Sequence, residues 1–291
     1  MQEVIEILPV SLLDEERQTV DALKKLAGSL RLEFGWHYLL DLTWIIRRLE
    51  NIQGQHILDA GAGTGVLQWF LAAQGGIVLS VDRASRVDLP LRFRRRFDVS
   101  GLRESDLAPV AQVLRHNLGS SRQLAAQARD LLHPVSLGRS PGRVVIYQQD
   151  LKTLAGVGDG SLDAVVAVSA LEHNPPGELA SVVAELLRVL KPGGILLATL
   201  GAARDQDWFH TPSQGWCYTE CSLRQAFDLP GAASNYNNYD ALFAKLRDCT
   251  ELRDGLASFY LHSGDNGMPW GNWDPQYPPV GVCKVKPTNH T

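Results

Sequence analysis

The stretch ILDAGAGTG at residues 57–65 brings together residue types that bind ligands. Asp59 follows a short apolar run and precedes a glycine-rich turn. The glycines of that turn have the spacing GxGxG: Gly61, Gly63 and Gly65. Such turns between a strand and a helix hold nucleotides, because glycine lets a ligand approach the backbone closely. The dinucleotide fingerprint is GxGxxG, and Val66 occupies its third glycine position here, so the spacing alone does not specify a dinucleotide.

Asp59 narrows the class of ligand. It ends the predicted strand, where a carboxylate can meet a cationic amine. Dinucleotide sites place a diphosphate against the helix N-terminus, and an adjacent carboxylate would repel it. Asp59 therefore favours a ligand with an amino-acid group. Asp82 closes the next strand, IVLSVD, and is placed to accept hydrogen bonds from ribose hydroxyl groups, a role shared by both ligand types. Taken alone, Asp82 is equally consistent with a strand-end cap.

The elements that position these acids alternate between strand and helix. The predicted strands are apolar on both faces, which is typical of a parallel sheet covered by helices. This order predicts a doubly wound α/β fold. The core strands are expected at 56–60, 77–82, 143–149, 162–169 and 195–200, and further strands at 256–262 and 280–286. Helices are expected at 12–27, 37–50, 65–74, 176–190 and 240–248.

Four segments, taken in order, resemble the class I S-adenosylmethionine-dependent methyltransferases, most closely their small-molecule branch, called type 11. ILDAGAGTG is similar to the first motif of the family, and QQDLKTL at 148–154 to its adenine-contacting segment. GDGSLDAVVAVSALEH at 158–173 resembles DxSFDxVxxxxxLxH, with Leu162 in place of Phe, and LLRVLKPGGILLATL at 186–200 resembles the helix, turn and fifth strand. The resemblance covers residues 54–200, apart from an insertion within them.

The resemblance implies a mostly parallel, seven-stranded Rossmann-like sheet with helical insertions, and S-adenosylmethionine as the cofactor. It implies that Asp59 and the three glycines cradle the methionyl part of the cofactor and that Asp82 holds its ribose. Asp150 and Leu151 would face the adenine, and Ser169 would line the floor beneath the sulfonium.

Two histidines are candidate catalytic residues. Methyl transfer needs a base only where the acceptor must lose a proton, and a neutral imidazole can take one near pH 7. His173 follows the fourth strand at the reactive end of the cofactor, although it could instead cap the next helix. Glu172 beside it is expected to contact the cofactor or the loop. His210 lies in DWFHTPSQGWCY at 207–218, an aromatic stretch that could fold over the pocket or simply pack as a lid.

A basic insertion interrupts the predicted core. Residues 83–143 contain twelve arginines and five acidic residues, although the whole chain has a net charge of −4. We expect a helical appendage without strands that covers the pocket or forms a homodimer contact. The run LRFRRRF at 91–97 suggests nucleic acid, but one short run in an acidic chain is more typical of a solvated surface, so no nucleic-acid partner is expected.

The expected organisation is a single methyltransferase domain over residues 1–291. Its parts are N-terminal helices at 1–53, the cofactor-binding core at 54–200 with the basic insertion at 83–143, an aromatic substrate or lid region at 204–279, and the last strand and tail at 280–291. The N-terminus does not have the pattern of a signal peptide, and no apolar run is long enough to cross a membrane. Four cysteines without a CxxC pair indicate reduced thiols in the cytoplasm.

The expected function is methyl transfer to a hydroxyl or amine of a small molecule, such as a sugar, a lipid-linked precursor or a secondary metabolite. A non-catalytic S-adenosylmethionine-binding protein and, with less support, an NAD-dependent oxidoreductase are the alternatives. No metal site is expected. His210 and His262 with Cys217 and Cys221 fit no zinc-binding spacing well.

Overall fold

The computed structural model of the chain describes residues 2–117, 140–261, 268 and 272–288. Its strands form one sheet. They are β1 (Val4–Ile7), β2 (His56–Ala60), β3 (Ile77–Asp82), β4 (Asp98–Gly101), β5 (Arg143–Gln148), β6 (Leu162–Val168), β7 (Leu190–Ala202), β8 (Trp208–His210), β9 (Gly215–Tyr218), β10 (Ala233–Ser234) and β11 (Pro279–Val285).

Helices cover the sheet. They are α1 (Leu12–Glu15), α2 (Arg17–Leu30), α3 (Tyr38–Arg48), α4 (Leu67–Ala73), α5 (Leu91–Arg96), α6 (Val110–Asn117), α7 (Pro176–Val189), α8 (Glu220–Ala226), α9 (Tyr239–Arg247) and α10 (Thr250–Asp254). Short 3₁₀ helices span Glu104–Asp106, Leu171–His173, Tyr236–Asn238 and Ser258–Leu261. No helix in these described ranges is long and apolar enough to cross a membrane.

The centre of the sheet has the strand order β4-β5-β3-β2-β6-β7-β11. All of these strands are parallel except β11, which runs antiparallel to β7. The predicted doubly wound, mostly parallel sheet is therefore confirmed. The chain leaves β2 toward β3 on one side and returns to β6 on the other. This change of direction opens a crevice at the carboxyl ends of β2 and β6, where such sheets bind ligands.

The sheet is wider than the seven predicted strands. β1 pairs antiparallel with β11, and β10 pairs parallel with β1. β9 pairs parallel with β7, and β8 completes an antiparallel hairpin with β9. These four strands have two to four residues each, too short for their apolar alternation to be recognised in the sequence.

Alternate residues of the central strands enter two apolar clusters on opposite faces of the sheet. Ile57 of β2 packs in the cluster that contains Trp44 and Trp69, whereas Leu58 packs in the cluster that contains α7. α7 begins with a proline at its first turn, which suits that position because proline has no amide hydrogen to leave unpaired. Its apolar residues recur at helical spacing and are buried, which fixes the helix against the sheet.

Two sequence predictions about elements are wrong. In the strand expected at 256–262, residues Ser258–Leu261 instead form a 3₁₀ helix, whose Tyr260 bonds to the N-terminal segment and not to a neighbouring strand, and residue 262 lies outside the described ranges. The basic insertion was expected to contain no strand, yet β4 pairs parallel with β5 at the edge of the sheet. Phe97, directly before β4, is buried against Trp69 and anchors this added strand. Residues 118–139 of the insertion lie outside the described ranges.

Candidate active site

The glycine loop connects β2 to α4 at the crevice. Gly61 has a φ of +74°, and a Cβ atom added to it would lie 2.3 Å from the Cβ of Ala170. Gly63 has a φ of +48°, and its amide donates a hydrogen bond of 2.8 Å to Oδ2 of Asp82. These two glycines are required because side chains with a Cβ rarely adopt positive φ and because Ala170, after β6, leaves no room at Gly61.

Asp82 organises the loop as well as lining the cavity. Its Oδ2 accepts from the amide of Gly63 and its Oδ1 accepts from the amide of Ala84, at 2.7 Å. A carboxylate has about four lone-pair positions, so both oxygens retain capacity for further donors such as ligand hydroxyl groups. The strand-end role and the ligand role that the sequence left as alternatives are therefore compatible.

Asp59 is buried at the base of the same cavity, with 3% of its surface exposed. Burial raises the pKa of Asp59 to about 7, against the opposing charge of Arg86. Arg86 is itself buried beneath the loop, where it donates to the carbonyl oxygen of Ser80 at 2.8 Å and to the Ser80 hydroxyl. The sequence did not single out Arg86, because an arginine within a basic region resembles a solvated surface residue.

The remaining predicted cofactor residues lie farther along the cavity wall. Asp150 and Leu151 both line it. Oδ1 of Asp150 accepts from the amide of Lys152 at 2.9 Å, and its Oδ2 lies 3.9 Å from Nη1 of Arg83. A buried acid before a glycine loop, followed by acids at two neighbouring strand ends, is a donor and acceptor set that fits an amino-acid-bearing nucleoside such as S-adenosylmethionine.

Ser169 directly follows β6 and is held with a φ of +44°. Its amide donates to the carbonyl oxygen of Thr199 at 3.1 Å, which fixes the turn. It lines the cavity, as predicted, but its hydroxyl faces the N-terminal segment rather than only the floor. Its Oγ lies 3.4 Å from Oδ2 of Asp41 and 3.5 Å from Nε2 of His37.

His37 and Asp41 form a buried pair that the sequence analysis missed. Nδ1 of His37 lies 2.7 Å from Oδ2 of Asp41, and the two residues are 2% and 0% exposed. Burial disfavours a charged imidazole, but the charge and hydrogen bond of Asp41, together with Glu172, raise the pKa of His37. The signal available in the sequence was the spacing of the pair, since residues i and i+4 share one face of a helix.

Glu172 faces this pair from the turn after β6 and lines the cavity. It is 6% exposed, and burial raises its pKa to about 8. Among the described residues, neither Oε2 of Glu172 nor Oδ1 of Asp41 has a hydrogen-bond partner. Buried polar atoms in native proteins are nearly always paired, and Glu172 lines the cavity, so its unsatisfied oxygen indicates a place for a ligand.

Aromatic residues close the cavity around the pair. The amide of Trp36 donates to the Tyr260 hydroxyl at 3.0 Å, which ties the N-terminal segment to the C-terminal region. The ring of Tyr277 lies 5.4 Å from that of Trp36 and 6.0 Å from that of His37, both edge-on. With Tyr38, these side chains form an aromatic part of the cavity wall on which an acceptor can pack.

The two predicted catalytic histidines occupy different places. His173 lines the cavity and is exposed, with its Nδ1 2.9 Å from the carbonyl oxygen of Gln214. A carbonyl only accepts, so Nδ1 donates and Nε2 remains an acceptor. His210 is buried, and the cavity walls formed by described residues do not include it. Its ring packs 5.1 Å from that of Tyr277, and burial lowers its pKa.

The predicted aromatic lid at 207–218 is the hairpin of β8 and β9. Its turn residues Pro212, Ser213 and Gln214 line the cavity. Its aromatic residues do less there than expected, since Phe209 is 42% exposed and packs against Trp216 at 5.5 Å. Within the described ranges, no group of three or more His, Cys, Asp or Glu residues is arranged to hold a metal ion. His262, one of four residues weighed for such a site, lies outside them.

The comparisons with known proteins agree with this geometry. The family model Methyltransf_11, described as a methyltransferase domain, matches residues 106–198. A ubiquinone biosynthesis O-methyltransferase from Pasteurella multocida (strain Pm70) is 24% identical over 158 residues, which cover 54% of this chain and 50% of that protein. This chain thus matches about half the length of that curated relative.

Two solved structures with a TM-score of 0.50 share the fold. The [4+2]-cyclase SpnF is 18% identical, and the alignment covers 99% of this chain and 100% of that one. Phosphoethanolamine N-methyltransferase 2 of Haemonchus contortus, solved with phosphomonomethylethanolamine and S-adenosylhomocysteine, is 15% identical, with coverage of 96% and 60%. The resemblance to class I S-adenosylmethionine-dependent methyltransferases is confirmed.

Proposed function

We propose that this S-adenosylmethionine-dependent methyltransferase transfers its methyl group to a small-molecule acceptor bound in the cavity described above. The observation that carries the proposal is that one cavity is lined both by the predicted cofactor residues and by His37 and Glu172 with the aromatic wall around them. Its volume of about 810 Å³ lies within the ~300–1,000 Å³ of small-molecule sites.

The cofactor roles follow from position along the cavity. Asp59 would meet the amino group of the methionyl part, and Asp82 would accept from the ribose hydroxyl groups. Asp150 and Leu151 would contact the adenine, and Ser169 would lie near the sulfonium. The three glycines would let the cofactor approach the loop backbone. Each of these roles is our proposal for the residue in question.

The bound cofactor supplies an electrophilic methyl group. The chain holds the acceptor in line with it behind an aromatic wall, and such orientation is worth ~7–11 kcal/mol at its favourable limit. A neutral amine can attack before it loses a proton, whereas a hydroxyl needs a proton acceptor nearby. His173 on the open wall is the base proposed from the sequence, and His210 would act only through Tyr277, which separates it from the cavity.

The acceptor is proposed to carry a hydroxyl or an amine group. The name of the Pasteurella relative specifies O-methylation, and that of the Haemonchus protein specifies N-methylation. Both names are compatible with small acceptors, and the cavity volume lies in the range of small-molecule sites.

The contacts of the arginine run at 91–97 disfavour a nucleic-acid substrate. This run forms α5, and several of its guanidinium groups bond to oxygen atoms of the chain itself. Arg92 donates to the carbonyl oxygen of Leu30 at 2.8 Å, and Arg94 donates to the carbonyl oxygens of Leu89 and Ala108. Arginines used in this way are structural. We therefore propose that α5 attaches the insertion to α2 and does not bind a phosphate backbone. A homodimer through 83–143 remains our proposal for the outer surface of this insertion.

A second candidate function is cofactor binding without methyl transfer. SpnF, which shares this fold, is named for a [4+2] cyclisation rather than for methyl transfer. The intact glycine loop and Asp82 support cofactor binding under either function and do not separate them.

Calorimetry and a transfer assay test these alternatives. Titration with S-adenosylmethionine, S-adenosylhomocysteine and NAD should give binding of the first two alone. Methyl-labelled cofactor should then label a catechol or phosphomonomethylethanolamine, used as hydroxyl and amine probes. Preferential binding of NAD would contradict the proposal. Cofactor binding without label transfer to either probe would favour the second candidate.

A further inference from the structure

We propose that His37, oriented by Asp41, takes the proton of a hydroxyl acceptor as the methyl group is transferred. This inference rests on the proposed function and specifies it further, since it assigns a hydroxyl-bearing acceptor to the cavity. It differs from the sequence-based hypothesis, which assigned the proton to His173.

The hydrogen bond to Asp41 sets the tautomer of His37. A carboxylate oxygen only accepts from a neutral imidazole N–H, so the proton of neutral His37 lies on Nδ1, 2.7 Å from Oδ2. The lone pair is then on Nε2, which lies on the side of Ser169 at the end of β6. That position is beside the crevice between β2 and β6, where a ligand of this fold binds.

Groups on every side of the imidazole suit a proton-transfer site. Asp41 lies beneath it on α3, Glu172 faces it from the turn after β6, and the hydroxyl-bearing rings of Tyr38 and Tyr277 flank it. Tyr38 and Tyr277 are buried enough that their pKa values are raised, so both stay neutral. The groups of this cluster whose pKa values are shifted toward or above neutral pH are therefore His37 and Glu172.

Burying the His37–Asp41 pair costs folding free energy, so its presence calls for a function. Two ionisable side chains removed from water seldom repay their desolvation through mutual attraction alone. In the described part of the chain, Oδ1 of Asp41 and Oε2 of Glu172 also lack partners, which adds to the cost. His37 and Glu172 line the cavity and Asp41 supports His37 from behind, an arrangement more typical of a catalytic site than of a structural contact.

The proposed step balances atoms and charge. The acceptor oxygen forms a bond to the methyl carbon while the C–S bond of the sulfonium breaks and its electron pair passes to sulfur. The hydroxyl proton passes to Nε2 of His37, and the resulting imidazolium is stabilised by the Asp41 carboxylate. The proton leaves to solvent when the methyl ether and the thioether product depart.

His37 is better placed for this step than His173. Both present Nε2 as an acceptor, but Nδ1 of His173 donates to a backbone carbonyl, whereas that of His37 donates to a buried carboxylate. A carboxylate stabilises the imidazolium more than a neutral carbonyl does, because hydrogen bonds between charged groups are about twice as strong. His173 is also exposed to water, which would compete with the acceptor for Nε2.

Nuclear magnetic resonance of the full chain with ¹⁵N-labelled histidine tests the geometry without any turnover. The resonance that disappears in His37→Gln should report an Nδ1–H tautomer with a pKa above 6.5. Asp41→Asn should move that pKa downward, because the opposite charge is lost. A proton on Nε2, or a midpoint that Asp41→Asn leaves unchanged, would overturn the inference. The measurement is repeated with S-adenosylhomocysteine bound.

Kinetics with catechol as the acceptor tests the role. His37→Gln should lower kcat by about 10²–10⁴-fold, with the Kd of S-adenosylhomocysteine unchanged within twofold. The matched control, His173→Gln, should lower kcat by less than about tenfold. Asp41→Asn, which preserves shape, should lower kcat and shift the acidic limb of the kcat profile to lower pH. Thermal unfolding of each variant checks that it folds.

The outcomes separate this inference from the proposed function. Methyl transfer to catechol that survives in His37→Gln but fails in His173→Gln would return the base role to His173 and leave the proposed function standing. Transfer to phosphomonomethylethanolamine but not to catechol would contradict the hydroxyl assignment alone. Failure of the wild-type chain to bind S-adenosylhomocysteine would contradict the proposed function itself.

Discussion

The two halves of the cavity are built in different ways. The cofactor half consists of strand ends and the turns that follow them: Asp59, the glycine loop, Asp82 and Asp150. The acceptor half includes segments far apart in the chain, the N-terminal residues 31–38 and the C-terminal residues Tyr260 and Tyr277. Sheet geometry fixes the first half, whereas packing between distant segments fixes the second.

This difference explains which half can be varied. The cofactor half is constrained by backbone conformation, as the positive φ of Gly61 and Gly63 requires, so substitutions in this half should weaken cofactor binding, most of all at these glycines. The acceptor half is constrained by side-chain contacts, such as the hydrogen bond from Trp36 to Tyr260. Substitutions there should change turnover and acceptor choice while cofactor binding persists. Each prediction below tests this division, beginning with the largest expected effect.

Gly61→Val should have the largest effect on the cofactor half. A β-branched residue is disfavoured at a φ of +74°, and its Cβ would lie 2.3 Å from the Cβ of Ala170. We expect the loop to move out of place and the affinity for S-adenosylhomocysteine, measured by calorimetry, to fall by at least ~100-fold, equivalent to ~2.7 kcal/mol. The control is Gly28→Ala in α2, where an added Cβ meets nothing within 4 Å. It should leave affinity unchanged and stabilise the helix by ~0.5–1 kcal/mol.

Asp82→Ala should have the next largest effect. It removes the acceptor of the Gly63 amide and the proposed acceptor of two ribose hydroxyl groups. Hydrogen bonds to charged groups are worth ~1.5–3 kcal/mol each, so the affinity for S-adenosylhomocysteine should fall by at least ~tenfold. A ligand lacking the ribose 2′-hydroxyl separates the loop contribution from the ribose contribution. Its affinity should fall less on Asp82→Ala than that of S-adenosylhomocysteine does. An unaltered dissociation constant would remove Asp82 from the site.

The residues that the sequence proposed for the cofactor all line the cavity, whereas several residues of the acceptor half were not singled out. Strands 56–60 and 77–82 and the acids at their ends follow from local patterns, because the alternation of strand and helix and the spacing of glycines are local. His37 and Asp41 were missed, because their burial depends on Ser169 and Glu172, which are distant in the chain. Arg86 was missed because it lies in a basic region that resembles a solvated surface. His173, predicted from the sequence as the base, lines the cavity in the turn after β6, and its catalytic role stays a prediction. β4 was missed because only pairing with β5 makes four residues a strand.

Cofactor affinity should depend on pH through Asp59. With a pKa of about 7, this buried carboxyl is largely protonated below pH 7 when no ligand is bound. An ammonium group beside it favours the carboxylate, so binding lowers its pKa and releases a proton at acidic pH. Affinity should therefore be highest above pH 7 and fall by up to about tenfold per unit as the pH decreases below 7. Asp59→Asn should flatten this slope. Glu172→Gln, in the acceptor half, should preserve the pH dependence of affinity. If Glu172→Gln removed this dependence instead, the proton released on binding would belong to Glu172.

Asp150→Ala should have the smallest effect, although Asp150 belongs to the same predicted set as Asp82. Its side chain is 45% exposed, and the distance of 3.9 Å to Arg83 is that of a surface ion pair, which contributes ~0–1 kcal/mol. Its Oδ1 holds a turn through the Lys152 amide, and solvent can replace this bond at an exposed position. We therefore expect affinity for S-adenosylhomocysteine to fall by less than about fivefold, which corresponds to roughly 1 kcal/mol. Asp150→Asn retains an oxygen for the turn, so it should lower this affinity by less still. A tenfold loss of affinity in Asp150→Asn would mean that the charge of Asp150 itself contacts the cofactor. The exposed edge of the cofactor half would then contribute to binding as strongly as Asp82.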